Sequence, residues 1–382
     1  MKERIKKALL RFSVIILLLP FLQQQLKIID SGELHGFYYN AIDPQLTAQK
    51  WFDGTYQVAK NNYYNDNTGF RPDLVRLNSQ ISYTMFKELE YASTLVGKDN
   101  SLYTSMVINS WYGKDFMGYA HILDKMIKLK ALQDTFAHLG KSLILVHTPC
   151  KAFYNSDCLP APSEFLIRKP DNFLTVLHVG DSLGVNQINL NAWFVAMKNK
   201  TKEFLFSKQG IHWTVYGSIL GGDSIIKYIE KLRNIKMLHP WWTKTEHTTQ
   251  ARDTDDDLAK ILNLIFPLAP ETFAYPEVHY TADATKTKPN IMYIGDSFVL
   301  NLIKNGMMQN VHNNWEFWYY FREVLDRDHP DDNYPKTAMN KDDWKNSVNR
   351  SDCIILMYTA HNMYQLGNGF IEQAYDFYFP SR

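Results

Sequence analysis

Apolar positions Ile122, Met126, Leu129, Leu132, Phe136 and Leu139 recur at intervals of three or four and stop at Gly140, which predicts a helix closed by a glycine. The chain then enters Leu143-Ile144-Leu145-Val146, a continuous apolar run ended by Thr148-Pro149 and expected to form a strand buried on both faces. A helix feeding a buried strand is the repeating unit of α/β folds. The unit recurs. Residues 185–190, 291–294 and 354–358 read as strands, residues 219–232 as a helix, and Leu258, Ile261, Leu262, Leu264 and Ile265 as the start of another helical face. Upstream, residues 45–95 read as helical segments around a turn at Asp66-Asn67-Thr68-Gly69. Two polar stretches, 243–257 and 326–343, read as solvated loops or insertions. These elements predict a single α/β domain over residues 26–382.

Within this pattern one junction suits chemistry. The run Ile291-Met292-Tyr293-Ile294 breaks into Gly295-Asp296-Ser297 and resumes as Phe298, Val299, Leu300, Leu302 and Ile303, which reads as strand, tight turn and helix. Such a turn presents a serine beside the free N–H groups of a helix start, where an oxyanion can be held. Ser297 is therefore the candidate nucleophile, with Gly295 permitting the turn and Gly295 and Asp296 as supporting or oxyanion positions. The same triplet occurs at Gly180-Asp181-Ser182 and Gly222-Asp223-Ser224. The latter lies inside an amphipathic helical pattern, and the former is followed by Leu183-Gly184-Val185 rather than by a helical run. Only the third copy has both flanks right.

A serine is inert without a base. Three histidine contexts compete. Asp326-Arg327-Asp328-His329 has the D-x-x-H spacing that usually closes serine esterases of the Gly-Asp-Ser type, but it sits in an acidic block that reads as a solvated charge run. His361 follows the last strand but has no acid two or three residues before it. His212, in Gly210-Ile211-His212-Trp213-Thr214, precedes a threonine placed to cap a helix, and a packing role for it fits the residues equally well.

Composition narrows the class of partner. With 41 basic against 40 acidic residues, a net charge of +1 gives no electrostatic pull toward nucleic acid. Nine tryptophans and 23 tyrosines suit the faces of sugar rings as well as a large core. No Cys/His spacing resembles a zinc site, so neither a metal nor another cofactor is expected. In an oxidising compartment Cys150 and Cys158 could close a short loop, whereas Cys353 reads as a buried strand residue. At the N-terminus Lys2, Arg4, Lys6, Lys7 and Arg11 precede an apolar run over 12–22 with no small-residue cleavage site after it. Residues 1–25 are thus expected to be a signal anchor holding the remainder outside the cytoplasm, with ordinary cleavage or a buried amphipathic helix as the other readings.

Gly210-Ile211-His212-Trp213-Thr214-Val215-Tyr216-Gly217 followed by Tyr293-Ile294-Gly295-Asp296-Ser297-Phe298 resembles the SGNH-hydrolase-like alginate O-acetyltransferases of bacterial exopolysaccharide assembly. Phe52-Asp53-Gly54-Thr55-Tyr56-Gln57, Gly69-Phe70-Arg71, Val146-His147-Thr148-Pro149-Cys150-Lys151-Ala152 and Asp256-Asp257-Leu258-Ala259 are similar too. The likeness runs from about residue 50 to the C-terminus. It implies an SGNH-hydrolase-like parallel sheet, acetyl transfer to an extracytoplasmic polysaccharide through acetyl-Ser297, His212 as base, and a membrane-embedded acyltransferase as donor. It also implies a periplasmic location tethered to the inner membrane.

In that family a D-x-H-W motif supplies the acid, and here its aspartate position is Gly210. Disabling the acid of a serine triad costs about 10⁴ in kcat. Three readings follow: another carboxylate orients His212, with Asp181 and Asp223 as candidates; Ser297 and His212 act as a slow dyad; or the chain is a catalytically silent binding or scaffold subunit. A carbohydrate acetyl esterase would carry the same residues.

Overall fold

The computed structural model describes residues 2–36, 40–89, 93–160, 167–330, 337–338 and 343–380, which fall into two compact units. The first comprises Met1–Ser93 with Ala259–Leu268. It is helical, with helices Lys2–Leu26, Ala48–Phe52, Thr55–Asn67 and Arg71–Phe86, so the expected helical segments flank the expected turn. Gly69 is required there because a Cβ would lie 2.2 Å from the Pro20 carbonyl oxygen. The apolar residues of the first helix are largely exposed. No helix among the described residues is long and apolar enough to cross a membrane.

The second unit, Thr94–Leu258 with Ala269–Arg382, carries the α/β fold. Its sheet has strands β1 (Ser142–Thr148), β2 (Gln187–Asn189), β3 (Ile291–Gly295), β4 (Trp315–Tyr319), β5 (Glu323–Asp326), β6 (Thr337–Ala338) and β7 (Cys353–Thr359), in the order β6-β5-β4-β3-β7-β1-β2. The five from β4 to β2 are parallel, and β5 and β6 extend the β4 edge antiparallel. The expected parallel sheet flanked by helices is present.

The continuous apolar runs are explained by burial on both faces. Leu143 and Leu145 of β1, Met292 and Ile294 of β3, and Ile354, Leu356 and Tyr358 of β7 enter one core, with helices α1 (Tyr119–His138), α2 (Asn172–Leu183) and α5 (Phe370–Tyr378). Their alternates Ile144, Val146, Ile291, Tyr293, Ile355 and Met357 enter the other, with α3 (Val215–Arg233) and α4 (Phe298–Lys304). Gly140 closes α1 in the left-handed region at φ 72°.

Several sequence expectations need correction, and one strand of the parallel sheet was not expected. Residues 243–257 are not all loop: Thr245–Thr248 pairs antiparallel with Phe273–Pro276, a short half-exposed ladder whose polar residues hid it. The helical face beginning at Leu258 is one short helix, Asp257–Ile261, because Asn263 adopts φ 51° and its side chain bonds the backbone of His35. Strand β4 went unread because Glu316 interrupts its aromatics; buried, this carboxylate accepts from Arg350 and from the Ser347 hydroxyl. Of the expected loop over 326–343, residues 331–336 and 339–342 lie outside the described residues, and Thr337–Ala338 is a strand rather than loop.

Candidate active site

Ser297 stands at the carboxyl end of β3, one residue before α4, at φ −60° and ψ −16°. Its backbone is unstrained. Gly295 is needed for a different reason from the one its sequence suggests: its φ is not positive, but a Cβ would lie 2.2 Å from the Met357 carbonyl oxygen across the β3–β7 ladder. Nor does Asp296 offer an oxyanion donor, since its N–H donates to Met357 O at 3.3 Å. Its fully buried carboxylate accepts from the Thr359 N–H (2.8 Å) and hydroxyl (2.7 Å), the Asn362 amide (3.0 Å) and the Phe298 N–H (3.2 Å). The end of β3 is thereby tied to the end of β7.

His212 arrives from the segment before α3. Thr214 caps that helix, accepting from the Gly217 N–H at 3.0 Å. Trp213 is wholly buried, with its ring against Gly221, where a Cβ would come within 2.5 Å of the indole. Held in this way, His212 places Nε2 2.8 Å from Ser297 Oγ and Nδ1 2.5 Å from Asp257 Oδ2. A carboxylate at Nδ1 selects the tautomer with its proton there and leaves Nε2 to accept from the serine hydroxyl. The imidazole packs on Phe298, ring centroids 4.5 Å apart.

The carboxylate behind His212 is therefore Asp257, and the two aspartates named beforehand are elsewhere. Asp181, in α2, accepts from Gln187; Asp223, in α3, pairs with His239 and Lys227. Their triplets are helical, so neither Ser182 nor Ser224 sits at a strand end. His329 pairs with Asp326 in an exposed contact, and His361 is buried between Thr359 and the Cys150 thiol, its imidazole pulled down to about 4 by desolvation. All three cysteines are free thiols.

Gly210 has no room for an acid: a Cβ there would lie 2.8 Å and 2.9 Å from the carbonyl oxygens of Thr254 and Asp255. The loop that fills this space is the one that delivers Asp257. It is fixed by Asp255, whose carboxylate accepts from the Val215 N–H (2.9 Å) and whose carbonyl accepts from Ser207 Oγ (2.5 Å), while the same hydroxyl accepts from the Gly210 N–H (2.7 Å). Burial pushes the Asp255 carboxyl up to about 7. Asn301 on α4 closes the frame, accepting from the Trp213 indole N–H (3.2 Å) and donating to Thr254 Oγ1 (2.7 Å). Asp257 was legible as part of Asp256-Asp257-Leu258-Ala259, one of the stretches that carry the resemblance, but not as the acid behind His212. The available signal was its place immediately before an apolar helical start, where a carboxylate belongs.

A serine, a histidine on it and a carboxylate behind the histidine, at the carboxyl end of a central parallel strand, define an SGNH-hydrolase-like α/β protein. The chain belongs to the family described as SGNH hydrolase-like domain, acetyltransferase AlgX, whose model matches residues 95–329 and so contains Ser297, His212 and Asp257. Among solved structures it is similar to the O-acetyltransferase domain of Pseudomonas putida AlgJ, with 15% identity, a TM-score of 0.46, and coverage of 74% of this chain and 98% of that one. Pseudomonas aeruginosa AlgX shares 12% identity at a TM-score of 0.46, over 73% and 67% of the two chains. Bacillus cereus PatB1 shares 15% at 0.40, over 66% and 92%. The search of curated proteins returned no match.

Proposed function

We propose that this chain is an O-acetyltransferase that moves acetyl groups onto a polysaccharide outside the cytoplasm by way of an acetyl-Ser297 intermediate. The observation that carries the reading is the unbroken hydrogen-bonded line from Ser297 Oγ through His212 to Asp257. His212 Nε2 takes the hydroxyl proton as Ser297 Oγ attacks the acetyl carbonyl. The tetrahedral oxyanion is held by the Ser297 N–H at the head of α4. The intermediate collapses with loss of the donor's leaving group, which takes the proton from His212. A sugar hydroxyl then attacks acetyl-Ser297, giving its proton to His212, and the ester passes to the sugar with Ser297 regenerated. Asp257 keeps the imidazole in the required tautomer and stabilises the imidazolium. The membership in an acetyltransferase family favours transfer over hydrolysis. The donor in this reading is a membrane-embedded acyltransferase, toward which the basic and then apolar N-terminal segment would direct the chain.

The test is incubation with an activated acetyl ester and intact-mass measurement. A 42-dalton adduct (an acetyl group replacing a proton, about 42 by composition) on wild type, absent from Ser297→Ala and discharged by an oligosaccharide faster than by water, is expected. Failure to form the adduct on folded wild-type protein would sink the enzymatic reading in favour of a silent scaffold. Discharge at the same rate with and without sugar would make the chain an esterase.

A further inference from the structure

We propose that Lys151 is the positioning residue of this site: its Nζ grips the peptide group between Gly210 and Ile211, and through that one peptide it holds the Asp257 carboxylate against His212. The inference rests on the function proposed above. Lys151 is 1% exposed, in the short helix Lys151–Tyr154 that follows β1. Its ammonium donates to Gly210 O at 2.7 Å and to Lys208 O at 2.8 Å, with the Tyr103 ring 5.3 Å away. Among the described residues no carboxylate lies within ion-pair distance of it. The Ile211 N–H, the other end of the peptide whose carbonyl Lys151 grips, donates to Asp257 Oδ1 at 2.8 Å. The second carboxylate oxygen faces His212 Nδ1 at 2.5 Å.

A buried cation is costly, and burial pulls the Lys151 ammonium down to about 7, against the opposing fields of Asp257 and Glu271. An apolar side chain of similar length would fill the same space without that cost, but would leave the buried Gly210 carbonyl without its donor. What a methionine could not do is polarise the Gly210 carbonyl, which strengthens the N–H of the same peptide as a donor to Asp257. Gly210 gives this peptide its place, because any Cβ would meet the Thr254 and Asp255 carbonyl oxygens. The glycine that stands where the family's acid is expected thus serves a lysine-to-aspartate connection.

The test compares the rate at which a fluorophosphonate labels Ser297 in the full chain and in Lys151→Met, Lys151→Ala and Ser297→Ala, with thermal unfolding of each. Compared at a temperature where its unfolding curve shows it fully folded, Lys151→Met should label about 10–100-fold more slowly than wild type, the loss expected when a charge-assisted hydrogen bond is withdrawn. Propylammonium should restore labelling of Lys151→Ala and leave wild type unchanged. In proton NMR of histidine-labelled protein, the downfield His212 Nδ1 resonance should persist in Ser297→Ala and weaken or shift in Lys151→Met. Labelling of Lys151→Met within twofold of wild type, with that resonance unmoved, overturns the role of Lys151 and leaves the acetyltransferase reading standing. Wild type that never labels at Ser297 overturns the catalytic reading, and the Nδ1 resonance then decides alone whether Lys151 positions Asp257.

Discussion

Asp257 meets His212 with one carboxylate oxygen and the Ile211 N–H with the other, so both of its lone-pair directions toward the site are committed. An asparagine at 257 would turn an N–H toward Nδ1 or force the wrong imidazole tautomer. Asp257→Asn is accordingly expected to lower kcat by roughly 10³–10⁴ with KM little changed, measured as steady-state hydrolysis of an activated acetyl ester. Asp181→Asn and Asp223→Asn should stay within about twofold of wild type, since those carboxylates bond Gln187 and His239 away from Ser297. Supplying an aspartate at the position where the resemblance leads one to expect it should not help. Gly210→Asp would drive its Cβ into the Thr254 and Asp255 carbonyls, and the expected outcome is a lower melting temperature with activity reduced.

At the scale of elements, the site is the meeting of β3, β7, the segment before α3 and the loop before the helix Asp257–Ile261. Two close approaches hold this junction. Gly295→Ala would put a methyl 2.2 Å from the Met357 oxygen and must separate β3 from β7, so a loss of at least about 1–3 kcal/mol in urea unfolding is expected. Thr359→Val keeps the shape but removes a hydroxyl that donates to the buried Asp296 carboxylate at 2.7 Å. The expected cost is about 1.5–3 kcal/mol, read by the same measurement, because a charged acceptor in the core loses a donor it cannot replace with water. The strand–turn–helix at 291–303 and the helix feeding β1 were legible because continuous apolar runs and a period of three to four are direct images of burial. The ladder at Thr245–Thr248 and strand β4 were not, because their register depends on partners outside their own sequence.

For the whole molecule, acid should be destabilising, and the balance of buried groups says why. His147, His312 and His361 are held neutral by desolvation, pulled down to about 4, about 3 and about 4 from a usual value near 6.5. Between roughly pH 6.5 and 4 the unfolded chain binds protons at these three positions that the folded chain refuses, so stability falls as pH falls through that window. Asp255 acts in the opposite sense. With its carboxyl pushed up to about 7, the folded chain binds a proton that the unfolded chain releases above about 3.8, and stability from this group rises on acidification. Asp115 and Asp171, also raised by burial, act with Asp255, and the three histidines outweigh these carboxyls. Urea midpoints measured from pH 7.5 to 4.5 should decline, more steeply in Asp255→Asn, where the most strongly raised carboxyl is gone, and less steeply in His312→Phe. A midpoint that climbs on acidification in wild type would mean these histidines are solvated in the folded chain.

By itself the amino-acid sequence determined the α/β class and four of the five parallel strands, and it singled out Ser297 among three identical triplets and paired it with His212 as a motif resemblance. Each of these is written in local periodicity or in short contiguous motifs, which report burial and turns directly. Which carboxylate stands behind His212 was decided by tertiary structure alone. Asp257 lies 45 residues from His212 in an acidic run that reads as solvent-facing, and it reaches the imidazole only because Asp255, Ser207 and Asn301 pin that loop against the space beside Gly210. Loop closure over such a distance leaves no periodic trace, since it is set by a few side-chain hydrogen bonds rather than by the alternation of apolar and polar residues.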